Sequence, residues 1–177
     1  MGAIVSACQT GEIPATVDVV VAPKSDLVSV KEAKDAGVPV VVVPPSDEGY
    51  GEALLQALGD TEVLCLAGYL RLIPTEVLQA YPNPILNVHP ALLPKFGGKG
   101  MYGMHVHEAV LAAGETESGA TVHLVSEHYD EGRILVQRRC PVHPDDTPES
   151  LAERVLAEEH RAYIEALRQV LGGGGTA

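Results

Sequence analysis

Apolar residues in this chain come in short runs divided by polar stretches, and the spacing inside each run predicts the element it forms. Ile4, Val5 and Cys8 recur at helical intervals, so residues 1–10 read as a helix closed by Gly11. Residues 17–22 read as a strand, and Ser25 caps a helix that runs through Ala36 and stops at Gly37. Residues 38–43 are an unbroken β-branched run, the pattern of a parallel strand covered on both faces. A short helix over residues 50–58, a strand over 63–67, a short helix ending at Ala80 and a strand to Val88 follow. This alternation predicts an α/β fold of Rossmann-like type, with a mostly parallel, doubly wound sheet.

The rhythm changes after Pro90. Residues 97–103 form a glycine-rich loop, and a helix is expected over 105–113. Apolar runs at 120–125 and 134–142 flank a polar turn holding Asp130 and Gly132, which predicts antiparallel pairing at a sheet edge. Thr147 caps the last helix, with Pro148 at its first position. Ala152, Leu156, His160, Tyr163, Leu167 and Val170 then form the expected inward stripe. His160 on it reads as a core histidine. One domain is expected over residues 1–171, with a flexible tail at 172–177.

Charge and cysteine usage narrow the class. A net charge of −12 argues against nucleic acid and against anionic membrane surfaces as partners. No apolar run approaches ~18 residues, so no membrane span is expected. Cys8, Cys65 and Cys140 form no CxxC pair and lie in apolar runs, which favours a reduced, cytoplasmic location. The first six residues fit an N-myristoylation pattern, but they also fit the apolar face of the first helix.

Candidate chemistry gathers where the strand before Pro90 ends. Residues i and i+2 of a strand share a face, so Asn87 and His89 can point together from its carboxyl end, where open α/β sheets bind ligands. An amide N–H beside an imidazole suits a reaction in which a carbonyl oxygen becomes an oxyanion and a proton moves. A capped strand end with a structural histidine fits the same spacing. Asp130 is a turn residue that would raise the His89 pKa if folding brought the two together, favouring the protonated ring and making His89 a proton donor near neutral pH. His105 and His107, with His89, His123 and Asp130, could seed a metal site, yet no HExxH motif or cysteine set supports one. No GxSxG marks a nucleophile, and the loop at 97–103 lacks the phosphate-loop pattern.

Asn87-Val88-His89-Pro90 with Leu92-Leu93-Pro94, then Gly119-Ala120-Thr121-Val122-His123 through Asp130-Glu131-Gly132, resemble the folate-dependent formyltransferase family over residues 3–168. The resemblance implies formyl transfer from 10-formyltetrahydrofolate to the amine of glycinamide ribonucleotide, with no metal. It implies Asn87, His89 and Asp130 as catalytic residues. It implies Leu70, Arg71, Leu72 and Ile73, with Asn87, as folate contacts, and Glu159 and His105 as substrate contacts. Compared with the family, the chain is shortened at its amino end, without the usual first strand and phosphate loop. Lys99 is the expected stand-in for a phosphate anchor, and unpaired strand edges favour a homodimer. The same core would serve hydrolysis of 10-formyltetrahydrofolate or formylation of an amino-sugar nucleotide. A catalytically impaired folate-binding remnant is the reading from another class.

Overall fold

The structure, a computed structural model, describes residues 1–172. In chain order the elements are α1 (Gly2–Gln9), β1 (Val20–Ala22), α2 (Val28–Asp35), β2 (Val40–Val42), α3 (Tyr50–Leu58) and β3 (Leu64–Leu66). They continue with α4 (Thr75–Ala80), β4 (Ile85–His89), α5 (Met104–Ala112), β5 (Glu117–Leu124), β6 (Ile134–Pro141) and α6 (Pro148–Gly172). The alternation expected from the sequence is present. The first two strands are shorter than expected, and Leu27, not Ser25, precedes α2, with no side chain capping that helix. The chain divides into two compact units, residues 1–64 with 73–84, and residues 65–72 with 85 onward.

In the first unit β1 and β2 pair in parallel, Val20 opposite Val40 and Ala22 opposite Val42. Val5, Ala33 and Val38 form a buried cluster with Val17, Val20 and Val40 packed against it. The run at 38–43 is not covered on both faces as expected, because Val41 and Val42 are 38% and 42% exposed. A sheet two strands wide, with β2 bonded to β1 alone, offers too little area for two covering layers. Leu54 and Leu58 of α3 and Val77 of α4 are buried, and Gly51 has no room for a Cβ against the Glu76 side chain.

The second unit carries a four-stranded sheet in the order β3-β4-β5-β6. The expected antiparallel edge is there: β5 pairs antiparallel with β6 on one side and with β4 on the other. Opposed residues of an antiparallel pair share a face. Asn87 opposite His123 and His89 opposite Thr121 therefore lie on one face, and Leu86 opposite Leu124 and Val88 opposite Val122 on the other.

α6 is fastened to the sheet. Arg138 of β6 reaches Glu158 and Glu165 of α6 at 2.7 and 3.1 Å, and the Tyr163 hydroxyl donates to the Leu66 and Leu86 carbonyls at 3.0 and 2.8 Å. Thr147 and Ser150 cap the start of α6 reciprocally, at 3.0 and 3.3 Å. Its buried residues are Leu151, Val155, Ala162, Tyr163, Ala166 and Leu167. The expected stripe is thus one residue out of phase at first, with Leu156 48% exposed and His160 exposed, and correct at Tyr163 and Leu167. Two alanines set that face; they carry little hydrophobic signal but allow close approach. The described part of α6 runs to Gly172, and the expected tail beyond it lies outside the described residues.

Candidate active site

The carboxyl end of β4 and the turn at Asp130 meet, and two histidines share one carboxylate there. His89 Nδ1 lies 3.5 Å from Asp130 Oδ2, and His123 Nε2 lies 3.5 Å from Asp130 Oδ1. Asn87 Nδ2 is 3.4 Å from the same His123 Nε2. His89 and His123 are 4% and 2% exposed, while Asn87 and Asp130 are half-buried and form the open side of the cluster.

Main-chain groups fix each member. His89 Nε2–H donates to the Phe96 carbonyl at 2.7 Å, and the Gly98 amide donates to Asp130 Oδ2 at 2.9 Å. The loop from Phe96 to Gly98 therefore spans the pair, using left-handed backbone at Phe96 (φ 56°) and Gly98 (φ 94°). Asp130 is itself left-handed at φ 58°, a conformation aspartate tolerates better than most residues. Gly132 lets the turn close, since a Cβ there would strike the Leu124 carbonyl. The turn after His89 hangs on Thr121, whose hydroxyl donates to Ala91 O at 2.6 Å and accepts from Leu93 N at 3.1 Å. Gln137 Nε2 donates to Leu93 O at 2.8 Å and to that hydroxyl at 3.0 Å.

The electrostatics revise the expectation for His89. Burial lowers its pKa more than the Asp130 carboxylate and the Phe96 carbonyl raise it, and the net direction is downward from 6.5. Asp130 is opposed by burial but ends below its ordinary value through the His123 contact, the Gly98 N–H and the His89 charge. At neutral pH the resting pair is thus a carboxylate beside a neutral imidazole. The Phe96 carbonyl accepts only, so the Nε2 proton is committed and Nδ1 carries the lone pair.

The other expected site residues form no hydrogen bond or ion pair with this cluster. Leu70, Arg71 and Leu72 occupy the exposed loop after β3, with Leu70 61% exposed, and Ile73 is buried in the first unit. His105 sits exposed on the first turn of α5, 3.5 Å from Glu108 and edge-on to Tyr102. Glu159 is half-buried on α6, and burial pushes its carboxyl up to about 7. Lys99 is exposed beside Gly98. Residue reasoning missed roles for Phe96, Thr121, His123 and Gln137. Thr121 and His123 carried a signal, as alternate polar positions in an otherwise apolar strand. The contribution of Phe96 is its carbonyl, which no side-chain pattern reports. Among the described residues no group of three or more His, Cys, Asp or Glu is arranged to hold a metal ion, and no helix is long and apolar enough to cross a membrane.

A family model described as "Formyl transferase" matches residues 1–167. The chloroplastic phosphoribosylglycinamide formyltransferase of Arabidopsis thaliana is 47% identical over 167 residues, covering 90% of this chain and 57% of the relative. The phosphoribosylglycinamide formyltransferase of Haemophilus influenzae is 32% identical over 166 residues, covering 90% of this chain and 76% of the relative. Among solved structures, glycinamide ribonucleotide transformylase 1 from Symbiobacterium toebii superposes with a TM-score of 0.87 at 41% identity, covering 97% of this chain and 82% of the other. The chain spans little more than half the length of the plant relatives it matches, 57% of the Arabidopsis thaliana protein and 54% of its Vigna unguiculata counterpart.

Proposed function

The chain belongs to the formyl transferase family, and on that premise we propose that it transfers a formyl group from 10-formyltetrahydrofolate to the amine of glycinamide ribonucleotide, a step of purine synthesis. The observation that carries this reading is the Asn87–His123–Asp130–His89 cluster: an amide N–H, a neutral imidazole and a carboxylate within 3.5 Å contacts. The relatives named above for the same reaction support it. Residues 1–171 act as one domain in this reading, because a single family match runs through both compact units.

The chemistry follows from the charge states. The substrate amine attacks the formyl carbon, a C–N bond forms, and the carbonyl π pair moves to oxygen. Asn87 Nδ2–H stabilises that oxyanion. His89 Nδ1, unprotonated at rest, takes the amine proton, and Asp130 stabilises the imidazolium that results. The same proton passes to the folate nitrogen as its bond to the formyl carbon breaks and the C=O re-forms. Protons and charge balance, and no metal or covalent enzyme intermediate enters the sequence. Leu70, Arg71, Leu72 and Ile73 are proposed to line the folate, with Glu159 and His105 on the ribonucleotide side. Lys99, exposed next to the amide that holds Asp130, is a cation available to the substrate phosphate. The free edges of the β1–β2 pair favour a homodimer, a reading that a monomeric mass by light scattering would remove. Cys8, Cys65 and Cys140, none of them in a disulfide, suit a reducing, cytoplasmic setting.

The test is formyl transfer measured with and without glycinamide ribonucleotide, for the wild type and His89→Ala. Turnover should need the ribonucleotide and fall by about 10²–10⁴-fold in the variant. Turnover without the ribonucleotide would make the protein a hydrolase, and folate binding without any turnover would make it a remnant.

A further inference from the structure

His123 takes no part in the proton and charge transfers above, yet it touches two other members of the cluster. Its Nδ1 lies 2.9 Å from the Leu124 carbonyl. A carbonyl only accepts, so that nitrogen carries a proton in every charge state of the ring. The other nitrogen, Nε2, faces Asn87 Nδ2 at 3.4 Å and Asp130 Oδ1 at 3.5 Å, in a site where His123 is 2% exposed. A neutral ring offers only a lone pair at Nε2, which the Asn87 N–H satisfies, and only the protonated ring makes the donating contact that lowers the Asp130 carboxyl. A doubly protonated ring would instead donate to Asp130 and would face the N–H side of Asn87 with a second donor.

We infer that His123 is a positioning residue that holds the Asn87 side chain with its N–H groups toward the reacting carbonyl. In the neutral ring Nε2 accepts one Asn87 N–H, and the second N–H of that amide is left for the oxyanion. The turned amide would present its oxygen to the developing negative charge and oppose the reaction. Gly132 belongs to the same device, because a Cβ there would strike the Leu124 carbonyl that fixes Nδ1 and would come within 3.5 Å of that nitrogen. The kinetic arm rests on the formyl transfer proposed above; the structural arm does not.

Two substitutions separate the ring's two contacts. His123→Gln keeps an acceptor near the place of Nε2, and His123→Asn keeps only a group near Nδ1. His123→Asn should lower kcat by roughly tenfold to a hundredfold, short of the ~10²–10³ of losing an oxyanion donor outright, with KM little changed. His123→Gln should stay within a few-fold of wild type. In an Asn87→Ala background His123→Asn should cost nothing further, since it acts through Asn87. Equal losses in both variants, or a full additional loss in the Asn87→Ala background, would overturn the inference. The arm that needs no turnover is nitrogen-15 NMR of the ligand-free protein. It should show the His123 proton on Nδ1, and an Asn87 side-chain amide proton shift that is lost in His123→Asn and kept in His123→Gln. A neutral Nε2–H tautomer, or an Asn87 shift indifferent to both substitutions, would overturn it whatever the reaction proves to be.

Discussion

Two ionisable side chains make opposite statements about pH. Burial lowers the His89 pKa, so the unfolded chain protonates before the folded one as pH falls through 6.5. The base form proposed to accept the amine proton therefore persists below the usual histidine range, and the acid limb of kcat/KM should lie below about 6.5. Asp130 works against that burial, so Asp130→Asn should move the limb to still lower pH while cutting kcat by about 10²-fold. A limb moving upward in a pH–rate profile would contradict the assignment. Glu159 is the reverse case. Its carboxyl goes from 4.5 to about 7 on folding, so the folded state holds a proton that the unfolded state releases, and stability is lost as pH rises from 4.5 toward 7. Glu159→Gln should raise Tm at pH 8 and leave it nearly unchanged at pH 4, with a ceiling of ~3 kcal/mol. Calorimetry at the two pH values measures the difference directly.

At the scale of elements, the site depends on how two strands and a helix are tied together. Tyr163 brings one hydroxyl from α6 to carbonyls of both β3 and β4, buried away from water. Tyr163→Phe leaves those carbonyls short of a donor and should cost about 1–3 kcal/mol in urea unfolding, with the m-value unchanged. The turn between β5 and β6 is less tolerant. Gly132→Ala places a methyl on the Leu124 carbonyl, so the strand end or the Asp130 turn must move. A loss of about 1–3 kcal/mol is expected, together with a fall in activity larger than Tyr163→Phe produces. Equal activity loss in the two variants would mean that the turn does not position Asp130. The out-of-phase reading of α6 has the same lesson in it. Leu156 and His160 fit a helical repeat as well as Leu151 and Val155 do, and packing against the sheet chose between them.

For the whole molecule, a charge of −12 opposes the approach of anionic ligands, the proposed ribonucleotide and folate included. Raising ionic strength from 10 to 150 mM shortens the screening length from ~30 to ~8 Å, so kcat/KM should rise rather than fall. A steep decrease with salt would instead reveal a local cationic funnel that overrides the global field. The alternation of strands and helices, the antiparallel pair at the end, and the shared face of Asn87 and His89 follow from chain periodicity. They are legible in the sequence because local backbone geometry repeats with the residue pattern. The Phe96 carbonyl on His89, the Gly98 amide on Asp130 and the Leu124 carbonyl on His123 carry no side-chain signature, since any residue supplies the same backbone groups. Nor does a sequence state how deep a side chain lies. Burial turned the expected resting acid at His89 into a base, and a sheet only two strands wide left Val41 and Val42 uncovered, because desolvation and coverage depend on neighbours that only the tertiary fold brings together.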